Sequence, residues 1–141
     1  MNQTSRVKVL IINRDQFGYH TDTYMYSKYL DERYAITYVC IDSGRPRIQV
    51  DDCEVIYSKR RFAPGKLGRF LGFILAIISF RKSHDVYFIK QFSGSFLLRL
   101  FIPRARAVLD IRTLAISVSK YKRLSQDALI KLDTRAFSTV T

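Results

Sequence analysis

The stretch VKVLIINRDQFGYHTDTYMYSKYLDERYAITYVCID, residues 7–42, decides how the chain reads. Its first six residues, Val7–Ile12, are a β-branched and almost continuous apolar run, the pattern of a strand covered on both faces in a parallel sheet. Helical spacing follows, with Met25, Tyr26, Tyr29 and Leu30 on one apolar stripe and Asp22, Lys28, Asp31 and Glu32 largely off it. Residues 35–41 then read as a second strand, closed by the turn-forming Asp42-Ser43-Gly44. Strand, helix and strand in this order make a βαβ unit, and its right-handed crossover sets the two strands parallel.

Outward from this unit the alternation continues. A short third strand is expected at residues 54–57, followed by SKRRFAPGKLGR, residues 58–69, whose Pro64-Gly65 pair marks a loop. Residues 85–89 read as a fourth strand, 92–102 as a helix ended by Pro103, and 107–109 as a fifth strand. Tyr121, Leu124, Ala128 and Leu132 keep helical spacing, and residues 137–140 read as a sixth strand. The expectation is one α/β domain over residues 1–141: a Rossmann-like, doubly wound parallel sheet of about six strands with helices on both faces.

In such sheets ligands bind outside the carboxyl ends of the strands, near the point where strand order reverses. The segments that directly follow strands are residues 13–20, 42–45, 90–94 and 110–113. Asp15, Phe17, Gly18, Tyr19, Lys90, Gln91, Ser93 and Gly94 are therefore candidate substrate contacts, and Asp110, Arg112 and His20 are the candidate catalytic residues. Gly18 permits a tight turn or close approach of a ligand, and the helix after it presents free N–H groups to an anion or a sugar hydroxyl. His20 serves equally as a general base or as a helix cap, and Asp110 with Arg112 either orients a substrate or fixes the loop. The single glycine disfavours a dinucleotide fingerprint, and the chain has no P-loop, HExxH, GxSxG or metal-spaced His/Cys cluster.

Composition narrows the partners. With 24 Lys and Arg against 12 Asp and Glu, the net charge is +12, which favours an anionic partner. Seven of the basic residues lie between Ser58 and His84, where no acidic residue occurs. Lys59, Arg60, Arg61, Lys66 and Arg69 precede the eleven apolar residues FLGFILAIISF, residues 70–80. That run is too short to span a bilayer, which takes about 20 residues. It suits either a helix lying on an anionic bilayer, with Phe70 and Phe73 inserted, or a plain buried crossover helix with basic ends. Nucleic acid is disfavoured because the aromatics are not interleaved with the cations on one face. Cys40 and Cys53 form neither a metal knuckle nor a disulfide scaffold and read as buried filler in a reduced, cytoplasmic setting; the polar start MNQTSR argues against a secretory signal.

The ordered set of residues 7–42, of DVYFIKQFSGSFLLRLF (85–101), of AVLDIRTL (107–114) and of LIKLDTRAFSTVT (129–141) resembles the N-terminal domain of a GT-B fold glycosyltransferase of the family 4 type. The resemblance implies the acceptor-side half of a two-domain transferase that moves a glycosyl group from a nucleotide sugar to a saccharide or lipid-linked acceptor in envelope polysaccharide synthesis. It implies no cofactor beyond the nucleotide-sugar co-substrate and no metal. It also implies a donor-binding C-terminal domain that these 141 residues do not contain, while the basic and apolar stretch of residues 58–82 adds the expectation of work at the inner membrane face. Gly18 would lie near donor phosphates or acceptor, and Asp110 and Arg112 near the reacting sugar. The sequence departs from the family pattern in having one glycine in the first loop and no His before Asp110. The alternative is a non-catalytic Rossmann-like binding module or a subunit of a split membrane-associated enzyme.

Overall fold

A computed structural model describes residues 6–30, 33–51, 53–59, 62, 64–92, 94–110, 128, 131, 132 and 135. Strands β1 (Val7–Ile12), β2 (Tyr34–Ile41), β3 (Cys53–Ser58), β4 (Val86–Lys90) and β5 (Ala107–Asp110) form one sheet in the order β3-β2-β1-β4-β5, every pair parallel. Helix α1 (Thr21–Tyr29) joins β1 to β2, and helix α2 (Gly65–Ser79) joins β3 to β4. This is a Rossmann-like α/β fold with strand order reversing between β1 and β4. The expected sixth strand lies outside the described residues, as do Tyr121 and Leu124 of the expected last helix; Ala128 and Leu132 are helical and exposed.

The pleat divides the apolar strand residues between two cores. Leu10 and Ile12 of β1, Val39 of β2 and Tyr87 and Ile89 of β4 face Phe73 and Ile77 of α2, with Leu98 and Ile102 beside them. Ile11 of β1 and Ile36, Tyr38 and Cys40 of β2 face the other way, toward Phe17, with Tyr24 and Tyr26 of α1 and Ile48 packed against them. Each of these strands is apolar on both sides because each side carries an element, which is why its sequence runs nearly without polar interruption. Both cysteines are buried and neither is in a disulfide, and burial pushes the Cys40 thiol up to about 11, which keeps it protonated.

Two elements depart from the sequence reading. Of its apolar stripe helix α1 packs only through Tyr26: Met25, Tyr29 and Leu30 are exposed, and Thr23 and Ser27 are buried instead. The sheet presents polar groups there. Asn13 Nδ2 donates to Tyr38 Oη at 2.7 Å and to Thr23 Oγ1 at 3.3 Å, and Tyr38 Oη donates to Thr23 Oγ1 at 3.1 Å. Small hydroxyl residues let the helix come close and satisfy these buried groups, which apolar side chains would leave unpaired. The second departure is at residues 92–102, which form a 3-10 segment at Ser95–Leu100 and not an α-helix. Gly94, at φ 92°, and Pro103 bound the segment at its two ends.

Candidate functional site

Parallel register brings the carboxyl ends of the strands into one edge. Ile12 pairs with Ile89, Lys90 pairs with Asp110, and the ladder extends through Asn13 N–H to Val39 O and Gln91 N–H to Asp110 O. Three of the expected site residues meet where strand order reverses. His20 precedes α1 with an extended backbone and no capping side-chain bond, so the imidazole is not spent on the helix. Its Nε2 accepts from Lys90 Nζ at the end of β4. With Nε2 occupied by that cation, the ring proton sits on Nδ1, a buried atom with no partner among the described residues. An unsatisfied buried donor at a sheet edge is costly, and a ligand acceptor removes the cost.

Charges converge on the same point. Desolvation raises the Asp110 carboxyl above its usual range against the opposing pull of Lys90 and His20, and Asp22 adds to the rise. Desolvation likewise lowers the Lys90 ammonium, opposed by Asp15, Asp22 and Asp110. Imidazole, ammonium and carboxyl groups held half-buried together form an arrangement able to orient hydroxyls, exchange protons with them and offset negative charge.

Beside this cluster, the loop after β1, the loop after β2 and the start of α2 enclose a cleft of about 820 Å³. Asp15, Tyr19, Lys66, Arg69 and Phe70 line it, together with Arg14 and Arg45. The two loops are tied by Gln16, whose side chain is buried. Its Oε1 accepts from Ser43 Oγ at 2.6 Å, Ser43 N–H at 3.0 Å and Arg45 N–H at 3.2 Å, and its Nε2 donates to Arg45 O at 2.7 Å. Gly18, at φ 84°, lets this loop lie so close to Ile48 that an added Cβ would meet its side chain. Arg45 stacks over the Tyr19 ring at 4.9 Å, and Tyr19 Oη donates to Pro46 O at 3.1 Å.

The remaining expected contacts distribute unevenly. Phe17 is wholly buried, set edge-on to Tyr38 at 4.8 Å, so it anchors the loop from below and does not face a ligand. Phe73, expected at a membrane, is also wholly buried against the sheet and Phe92, because α2 is a crossover helix and its Phe73 face is needed to cover β1 and β4. Phe70 is half-buried, and Lys59, Lys66 and Arg69 are exposed. Gln91 is half-buried beside Asp110, and Gly94 begins the 3-10 segment. Ser93, Arg60, Arg61 and Arg112 lie outside the described residues.

Sequence reasoning passed over Gln16, Arg14 and Arg45 as individual site residues. Only their position after β1 and β2 could have marked them. Among the described residues no group of His, Cys, Asp and Glu is arranged to hold a metal ion, and no helix is long and apolar enough to cross a membrane. Comparison with protein-family models, with curated proteins and with solved structures finds no match.

Proposed function

We propose that the chain is the acceptor-side domain of a nucleotide-sugar-dependent glycosyltransferase acting on a saccharide or lipid-linked acceptor. The observation that carries this reading is the meeting of His20, Lys90 and Asp110 at the carboxyl edge, where the strand order reverses, beside a cationic cleft. In the transfer, the bond between the sugar's anomeric carbon and the donor phosphate breaks and a bond to the acceptor oxygen forms. The acceptor hydroxyl gives up its proton, and nucleoside diphosphate departs. His20 is suited to hold that hydroxyl through its Nδ1–H, Asp110 to take its proton, and Lys90 supplies positive charge toward the leaving diphosphate.

Surface association fits the same reading. The outward side of α2 carries exposed Leu67, Leu71 and Leu75, with Lys66 and Arg69 next to them, a composition suited to lying on an anionic bilayer at the inner membrane face. The test is transfer of labelled sugar from a panel of nucleotide sugars to extracted membrane lipids and oligosaccharides, with the chain expressed in its native reading frame. The reading expects label in acceptor with the native protein and none with His20→Ala/Asp110→Asn. Ligand binding without any transfer across the panel would instead favour a non-catalytic binding module.

A further inference from the structure

The cleft beside the His20 cluster has a charge pattern that the transfer chemistry leaves unexplained. Arg14, Arg45, Lys66 and Arg69 line it, against the single carboxylate of Asp15. Among the described residues none of these four cations stands in an ion pair with an acidic side chain. Four like charges around one concavity, on a chain already at +12, repel one another, and a polyanion seated among them reverses that cost. The wall is built in advance of any ligand. Gln16 fixes the backbone on both sides of Arg45, and the Tyr19 ring holds the Arg45 guanidinium from below. At about 820 Å³ the cleft is in the size range of small-molecule sites and larger than one phosphate requires.

One wall of the cleft is apolar, and it leads outward. Phe70 and Leu67 line the cleft, and Leu67 begins a row with Leu71 and Leu75 at four-residue spacing along the outer side of α2. These three leucines are 61%, 36% and 41% exposed, although the helix buries Phe73 and Ile77 on its opposite side. A cationic pocket opening onto a continuous apolar row matches an amphiphile with a highly charged head and an alkyl tail.

We propose that this cleft binds the diphosphate group of a long-chain alkyl or isoprenoid diphosphate, with Arg14, Arg45, Lys66 and Arg69 on the phosphates and Leu67, Leu71 and Leu75 under the tail. The binding step stands on this geometry alone. That the bound lipid serves as the acceptor's anchor rests on the transferase reading.

The test is calorimetric titration of the 141-residue chain with inorganic pyrophosphate, uridine diphosphate and a soluble short-chain alkyl diphosphate, at low and moderate salt. The alkyl diphosphate is expected to bind most tightly, about tenfold better than pyrophosphate, since a few buried methylenes suffice for that factor. Arg45→Ala/Arg69→Ala is expected to weaken both by tenfold or more, while Leu71→Gln/Leu75→Gln weakens only the alkyl form. Arg81→Ala/Lys82→Ala removes equal charge at the opposite edge of the sheet and is expected to change neither.

No binding by the native chain overturns the proposal, as does an equal loss from the Arg81/Lys82 pair, which would signal diffuse attraction to net charge. Uridine diphosphate binding tighter than the alkyl form overturns the lipid assignment in favour of a soluble diphosphate. His20→Ala/Asp110→Asn should retain alkyl diphosphate binding, so failure of transfer and failure of this site are read separately. Melting curves on each variant, all of them altered at partly or fully exposed positions, confirm that the fold persists.

Discussion

His84 and His20, the two histidines of the chain, sit at opposite edges of one sheet and are treated differently by it. His84, just before β4, is buried with both ring nitrogens engaged: Nδ1 with Ser83 Oγ at 2.9 Å and Nε2 with Thr37 Oγ1 at 3.0 Å. Around it Lys8 N–H donates to Asp85 Oδ2 at 2.9 Å, and Tyr87 Oη donates to Arg81 O at 2.6 Å. The polar groups around His84 are absorbed by the fold. His20, by contrast, shares one nitrogen with a lysine and leaves the other buried and unpaired, among half-buried charges and beside an open cationic cleft. Each uncompensated group costs stability, a cost that a bound ligand would offset. The contrast separates residues that hold the sheet from residues that use it.

The largest effect that would sharpen this contrast is on turnover. In a sugar-transfer assay His20→Ala is expected to lower the rate about 10²-fold with little change in melting temperature, as loss of a group that orients the acceptor hydroxyl does. His84→Ala should do the reverse, costing about 1–3 kcal/mol of stability in urea unfolding through lost hydrogen bonds and packing on Phe80, with the rate of the folded fraction unchanged. Equal loss of turnover from both variants would break the comparison.

Gly18→Ala comes next. Its positive φ and the tight contact with the Ile48 side chain predict a loss of about 1–3 kcal/mol, where Gly44→Ala, also at positive φ but facing open space, should cost only about 1 kcal/mol. Equal losses in urea midpoints would remove the close approach to Ile48 from the account.

The smallest effect is a pH slope. Desolvation holds the His84 pKa below the ordinary histidine value near 6.5, so the unfolded chain takes up this proton first. The contribution of neutral His84 is therefore fully present above about pH 6.5 and falls as the pH drops through that value toward the lower folded pKa. Urea unfolding across pH 5 to 8 should show the native protein losing stability on the acid side, with a shallower slope in His84→Ala. Identical slopes would deny that His84 is buried neutral.

Much of the fold was legible because the strands carry their own signal. β1, β2 and β4 are covered on both faces, so their apolar runs needed no tertiary knowledge, and even the short β3 stood out between a turn and a basic loop. What was hidden depended on partners distant in sequence. The buried face of α1 is polar because Tyr38 and Asn13 meet it, and nothing within residues 21–29 announces that. His20 and Lys90 could each be assigned to the ligand edge, but their contact spans seventy residues and arises only when β4 inserts beside β1. Gln16 carried no signal beyond its position after β1, since its importance lies in the backbone groups of residues 43–46 that it reaches. Phe17 and Phe73 were misassigned for a related reason: an aromatic next to a glycine loop or a basic run looks like a contact residue until the core beneath it is known.

The claim that the carboxyl edge is the ligand edge is tested most directly by following the ring resonances of both histidines by NMR during titration with pyrophosphate and with the short-chain alkyl diphosphate. The account predicts that the His20 resonances shift and saturate with the ligand while those of His84 stay in place. Saturable binding that moves His84 and leaves His20 unchanged would contradict it.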